Sequence, residues 1–372
     1  MDESISLHRT ALFDWHVANG GRMVDFAGWE LPVFYETGAI AEHELTRSSV
    51  GLFDIDHMGQ VVIAGPDALQ LVDSLVTSDM SSIDIGGAKY GLLCHDDGGV
   101  IDDVIVYRTD ETTFMVVVNA SNRAVDVAWI ESHASDFNCT IVDRSNELKM
   151  VAVQGPNTVD LVDRAAGGGI ATLDRFTLST ATLFGRKAMV ARTGYTGEDG
   201  VELYIEGGVV EVWTGLLALA TEIGIEAGAI GLSARDSLRF EAGYPLYGHE
   251  LGREINPFEA RLGWAVDLKG ADFVGKAALI AAREAGLSRR LEALVMNDKG
   301  VPREGSLVVD ETGETLAEVV SGMFCPTADL FAAHAFLPID LAAVGTELTL
   351  DIRGRTKSAT VSKRPLYRLE AN

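Results

Sequence analysis

The sequence predicts an α+β fold of two related lobes followed by a separate β-rich domain at the C-terminus. Three observations carry that expectation. Residues 61–73 (VVIAGPDALQLVD) and 151–163 (VAVQGPNTVDLVD) share an apolar strand-like run, a Gly-Pro step and a helical pattern. Runs of β-branched residues at 100–107, 114–118 and 201–205 read as strands between helical segments. From about residue 288 short β segments alternate with turn clusters. A chain of 372 residues is also longer than one hydrophobic core usually serves, so two or three domains are expected.

The internal echo comes first in chain order. It has identical residues at Val61/Val151, Gly65/Gly155, Pro66/Pro156, Leu71/Leu161, Val72/Val162 and Asp73/Asp163. Relation between two lobes and convergence on a common turn both fit it. Pro66 and Pro156 suit a first helical turn, where a missing N–H is harmless. A helix is expected over 209–223, with Val210, Trp213, Leu216, Leu217 and Ala220 on one face, and another over 234–242 behind a capping Ser233. GKAALIAAREAG at 275–286 reads as a further helix. Beyond it, LEALVM, SLVVD, ELTLDI and SATVSK, separated by NDKG, ETGE and RGRT, fit a small barrel. The expected division is 1–287 and 288–372.

The charge count is 30 basic against 55 acidic residues, a net of −25. Such a surface repels phosphates and disfavours nucleic acid or an anionic membrane as partner. The N-terminal MDESISLHRT has no apolar leader region, and the apolar runs are too short to cross a bilayer. Cys94, Cys139 and Cys325 are far apart and odd in number, which fits reduced thiols in a cytoplasmic setting. GADFVGKA at 270–277 matches the spacing of a phosphate loop, but Ala277 stands where Ser or Thr would hold magnesium. GYTGEDG at 194–200 leads into a strand, so it is no dinucleotide fingerprint. The histidines form no metal-binding pair, so no metal is expected, and His57 has no nucleophile beside it in the sequence.

The residues that call for chemistry are acids in apolar surroundings. Asp102 and Asp103 interrupt VIDDVIVYR. In a strand Asp102 shares a face with Val100, Val104 and Val106, and Asp103 with Ile101, Ile105 and Tyr107. Both faces are apolar, so periodicity does not choose between them. GYTGEDGVE places Tyr195, Glu198 and Glu202 at a glycine-rich turn, where a carboxylate can accept N–H bonds from a flat amidine-like heterocycle. ARDSLR sets Arg235 and Arg239 one helical turn apart, able to hold a carboxylate ligand or to pair with Asp236 or Glu241.

Together these stretches resemble the glycine cleavage system T-protein family, tetrahydrofolate-dependent aminomethyltransferases. The matching segments are RMVDFAGWELPV, AEHELTRSSVGLFDIDHMG, GGVIDDVIVYR, VVNASNR, AVQGPN, RTGYTGEDGVE, GLSARDSLRFEAGYPLYG and LGWAVDLKGADFVGKAAL, in the family's order along nearly the whole chain. The resemblance implies a three-domain cloverleaf around a folate channel. It implies Asp102 as the catalytic carboxylate, and Glu202, Tyr195, Arg235, Tyr90 and Asn119 as folate-binding residues. It further implies tetrahydrofolate as co-substrate and a lipoyl-carrying H protein as donor of an aminomethyl group, with ammonia and 5,10-methylenetetrahydrofolate as products. Docking of an acidic partner on so acidic a chain would need local cations. Arg283, Arg289, Arg290, Lys299, Arg303, Arg353, Arg355, Lys357, Lys363, Arg364 and Arg368 supply candidates in the C-terminal part.

Departures from the family pattern leave a second enzyme reading open. Asp56 stands where the family has Ser, and Met323 and Cys325 replace small polar residues in SGMFCPT. A folate-dependent demethylase of small methylated sulfur or nitrogen compounds would use the same scaffold with a changed donor pocket. A non-enzymatic folate-binding iron–sulfur assembly protein is a third reading; its KGCYxGQE-type motif is absent, and LYGHELG stands near that position.

Overall fold

A computed structural model describes residues 7–369, which divide into two compact units. Among the described residues, one comprises 7–71, 82–89 and 105–238; the other 72–81, 90–104 and 239–369.

The first unit is built on a six-stranded sheet in the order Leu178–Leu183, Arg186–Ala191, Gly200–Glu206, Leu148–Gln154, Val50–Asp54, Ala227–Ile230. The last pair is parallel and the other neighbours are antiparallel. Alternation along the strands sorts their side chains. Val201, Leu203, Ile205, Val151 and Val153 pack with Trp213 and Leu216 of the helix Val209–Ile223. Tyr204, Met150 and Ala152 face the other way, into a core with Phe53, Tyr107 and Leu238. Glu202 shares the face of Tyr204. A second set of strands pairs 105–110 of Val100–Asp110 with Thr113–Val118, then Gly59–Ala64, then Thr140–Asp143.

Three local expectations are corrected here. Pro66 and Pro156 precede their helices, Ala68–Leu75 and Thr158–Ala166, rather than opening them. Each is the second residue of a hydrogen-bonded turn, with Ala68 N donating to Gly65 O (3.1 Å) and Thr158 N to Gly155 O (3.0 Å). Both glycines have positive φ, 145° and 127°, and a Cβ on either would strike backbone, so the two halves of the echo share one geometry. Val210 is 37% exposed; the buried face of its helix is Val209, Val212, Trp213, Leu216 and Ala220. Ser233 lies inside the helix Leu232–Glu241, its N–H donating to Val33 O, and is not a cap.

The second unit contains a closed barrel in the order Arg289–Met296, Leu330–Pro338, Thr315–Cys325, Leu307–Val309, Glu347–Asp351, Thr356–Ser362. The four β segments expected there are present. The long hairpin Thr315–Cys325 and Leu330–Pro338 is additional: its buried Ala332, Ala333 and Ala335 have weak β preference but suit a narrow interior. Within the same unit Arg239 joins the barrel through a buried network. Its Nη1 is 2.9 Å from Glu250 Oε2, its Nη2 donates to Ser321 Oγ, and Glu250 Oε1 is 2.9 Å from His334 Nδ1. Burial alone would raise the Glu250 carboxyl, but the Arg239 charge and the His334 bond hold it well below the usual range. Burial and the Arg364 charge draw His334 down to about 4. Arg239 is therefore engaged as an ion-pair partner of Glu250.

Replacing Arg239 by Met leaves Glu250 charged in an apolar site. The expected loss is about 3–5 kcal/mol of stability, read as a lowered urea midpoint of the barrel-containing unit.

Candidate functional site

Glu202 is half-buried at the third position of Gly200–Glu206. Hydroxyls converge on one of its oxygens: Oε2 accepts from Thr193 (2.8 Å), Tyr107 (3.4 Å) and Tyr204 (3.4 Å). The hydroxyls also link to each other, Tyr107 to Thr193 at 2.9 Å and Tyr204 to Tyr107 at 3.3 Å. Burial raises the carboxyl's proton affinity, opposed by these bonds and by the Arg235 charge. Directly opposite Glu202 on the two neighbouring strands are Ala152 and Ala191, so its flanks are methyl groups. A charged acceptor held by neutral donors and flanked by the smallest side chains suits a flat ring edge bearing N–H groups.

The turn before this strand carries Tyr195. The Arg235 guanidinium lies 4.7 Å from the Tyr195 ring centroid, a cation–π contact. Glu198, read from sequence as an alternative acceptor, is instead a buried partner of Arg47 at 3.0 Å. Arg235 also lines a pocket with Leu31, Pro32, Phe53 and Asp54. Asp54 is buried and bonded to His16 (2.8 Å) and Thr10 (2.6 Å); burial would raise it, but the His16 bond and charge keep it low. Three residues on, His57 Nδ1 is buried with no hydrogen-bond partner among the described residues. Burial and the Arg235 charge pull that imidazole to about 3, so it is neutral at working pH. Asn119 is half-buried at the end of Thr113–Val118, its carbonyl accepting from Asn122 N. Glu202, Tyr195 and Arg235 are thus neighbours within the first unit.

In the second unit Asp102 is fully buried and its neighbour Asp103 partly so. Tyr90 donates to Asp103 Oδ2 at 3.0 Å, and its ring stacks on Trp264 at 5.3 Å. Trp264 is 71% exposed, yet its base is fixed: Ala265 O accepts from both Thr77 and Ser78.

The positions that departed from the family pattern are packed. Asp56 accepts from Ala11 N and Met150 N, both at 3.3 Å, and burial with the Asp54 charge raises it to about 6. Cys325 is fully buried with Phe240 and Ala332, and Met323 packs against them. Of the basic residues in the C-terminal part, Arg289 pairs with Glu259 and Arg290 with Glu292. Arg364 has a buried Nε, donates to Gly243 O, and is pulled to about 10 by burial. Among the described residues no cluster of His, Cys, Asp and Glu is placed to hold a metal ion, and no helix is long and apolar enough to cross a membrane.

Sequence reasoning missed the hydroxyls of Tyr107, Tyr204 and Thr193. Tyr204 had a signal, lying two residues from Glu202 on one strand; Tyr107 comes from a distant strand and had none. Arg47 and Trp264 were also missed.

The family model described as GCVT N-terminal domain matches residues 12–270, and that described as glycine cleavage T-protein C-terminal barrel domain matches 289–368. An aminomethyltransferase of Symbiobacterium thermophilum is 43% identical over 373 residues, covering 98% of each chain. One of Bdellovibrio bacteriovorus is 42% identical, covering 96% of this chain and 99% of the relative. The crystal structure of a glycine cleavage system aminomethyltransferase T from Bartonella henselae superposes with a TM-score of 0.91 at 31% identity, covering 97% of this chain and 98% of that one. With both family segments present in order and full-length relatives at this identity, the chain belongs to the glycine cleavage T-protein family.

Proposed function

We infer that this chain is an aminomethyltransferase of the glycine cleavage system. It moves a one-carbon unit from the aminomethyl-carrying lipoyl arm of an H protein to tetrahydrofolate, releasing ammonia. The observation that carries the acceptor assignment is Glu202, a carboxylate tethered by hydroxyls at one oxygen and flanked by Ala152 and Ala191. We assign Glu202 to the N–H edge of the pteridine, with Tyr195, Arg235, Asn119 and Tyr90 as further folate-binding residues. When bound, tetrahydrofolate supplies the amine that accepts the one-carbon unit.

Asp102 is assigned the catalytic role. Its strand neighbours Val100 and Val104 are buried apolar residues, an environment in which a carboxylate interacts strongly with a nearby proton or ammonium. It would hold or move the proton of the reacting amine, while Asp103 receives the Tyr90 hydroxyl. Residues 1–287 are assigned to the folate-binding region and 288–372 to the barrel domain. For docking of an acidic H protein, the exposed Lys299, Arg303, Arg353 and Arg355 are the proposed cations, since Arg289 and Arg290 are engaged with Glu259 and Glu292. A cytoplasmic setting is proposed on the three free thiols. Nothing in the packing of Asp56, Met323 or Cys325 favours a small-molecule demethylase.

Aminomethylated H protein with tetrahydrofolate should yield ammonia, at a rate that falls with salt. A sulfonium or betaine donor should give no methyltetrahydrofolate; the reverse pair of results would overturn the reading. Asp102→Asn should abolish turnover while calorimetry still detects tetrahydrofolate binding, and Asp103→Asn should be milder. Glu202→Gln should weaken tetrahydrofolate binding by about 1.5–3 kcal/mol, the worth of a charge-assisted bond. Because the Glu202 carboxyl is raised, it captures a proton at higher pH than an ordinary glutamate, so affinity falls on acidification from above the usual carboxylate range. The Gln variant should lose that pH dependence, as seen by calorimetry across a pH series.

A further inference from the structure

We propose that Arg47 is a positioning residue for the acceptor-binding groups. Its guanidinium ties the loop that carries Tyr195 and leads into Glu202 to the helix that carries Arg235. This rests on the acceptor assignment above and adds a residue that acts through the groups placed there.

The observations are geometric. Arg47 projects from the last turn of the helix Ala39–Ser48, and its side chain is 9% exposed. Nη1 donates to Thr196 O at 2.7 Å and to Glu198 Oε1 at 3.0 Å, and Nη2 reaches Leu238 O at 3.5 Å. Two of these acceptors lie in the 193–200 loop. The third is one of the last four carbonyls of Leu232–Glu241, which have no partner inside their own helix. A cation there also meets the negative end of the helix dipole. Arg235 sits one turn before Leu238 and lies over Tyr195 at 4.7 Å. The same guanidinium therefore holds both supports of that contact.

The other side of the loop is closed by Gln154. Its Nε2 donates to Thr193 O (3.1 Å) and Val201 O (3.3 Å), while its Oε1 accepts from Thr196 Oγ1 (2.9 Å). A Cβ on Gly194 or Gly200 would strike the Gln154 side chain, which is why glycine stands at both ends of the turn. Gln154 fixes the loop to its own sheet, and Arg47 fixes it to the helix. A planar fork with several donors can reach loop and helix together; an ammonium, being a point charge, serves the Glu198 pair but not the whole set.

The test compares Arg47→Lys, Arg47→Met and the double variant Arg47→Met/Glu198→Gln, which also removes the stranded carboxylate. Hydrogen exchange is measured on the folate-free protein and tetrahydrofolate binding by calorimetry. In all three variants, amides in 194–200 and 235–241 should exchange faster together. The tetrahydrofolate Kd should rise about 10-fold or more. The double variant should regain thermal stability relative to Arg47→Met without regaining affinity. Faster exchange in one segment alone, parental affinity in Arg47→Lys, or affinity restored in the double variant would overturn the proposal. Absence of tetrahydrofolate binding in the parent would instead remove the functional reading, while the exchange measurement would still decide the clamp.

Discussion

An ionised carboxylate placed inside a sheet or between packed helices costs several kcal/mol unless donors reach it. Much of this molecule's internal wiring answers that constraint. Asp54 is met by His16 and Thr10. Glu42 is met by the backbone N–H groups of Tyr35 (2.6 Å) and Gly231 (2.7 Å), which fastens a loop and the entry to the Arg235 helix onto one side chain. Glu250 is met by a full positive charge from Arg239. Glu202, like Glu42, has neutral donors, but they are side-chain hydroxyls and all sit on one oxygen, so the charge is steadied but not cancelled. On the assignment proposed above, the other acids hold the fold while Glu202 serves the ligand.

The same distinction explains what could be read in the sequence. Strands rich in Val and Ile, the Gly-Pro steps and the change of pattern near residue 288 are local signals, and the elements they mark are present. Val210 failed because a helical face can be assigned one residue out when both Val209 and Val210 are apolar. The Ala-rich barrel hairpin failed because its small residues answer to the barrel's width, not to strand preference. Asp102 and Asp103 could not be told apart by alternation, since both faces of their strand are apolar; the structure makes Asp102 the fully buried one and sets Tyr90 on Asp103. Arg47 was illegible in principle. Its partners at 196, 198 and 238 are more than a hundred residues away, and an arginine near a helix end in isolation reads as a solvated charge.

Charge shows the limits of counting. The chain carries −25, and its cations look concentrated toward the C-terminus. In three dimensions Arg289 and Arg290 are engaged by acids beside them, whereas Lys299, Arg353 and Arg355 occupy neighbouring turns of the barrel, joined where Asn297 N donates to Ser358 O. The local field of a surface thus depends on which charges their neighbours have already neutralised.

The hydroxyl cluster under Glu202 has a consequence for how this position can change over time. Tyr107, Tyr204 and Thr193 are arranged around an acceptor and around one another. Replace the glutamate with an apolar residue and three buried hydroxyls lose their shared acceptor; replace a hydroxyl first and the acid loses part of its shell. Either single step crosses a trough, and a smooth route out needs several changes at once. The cluster therefore acts as a ratchet: whatever drift occurs elsewhere in the chain, the identity of residue 202 is locked in by side chains that never face the solvent.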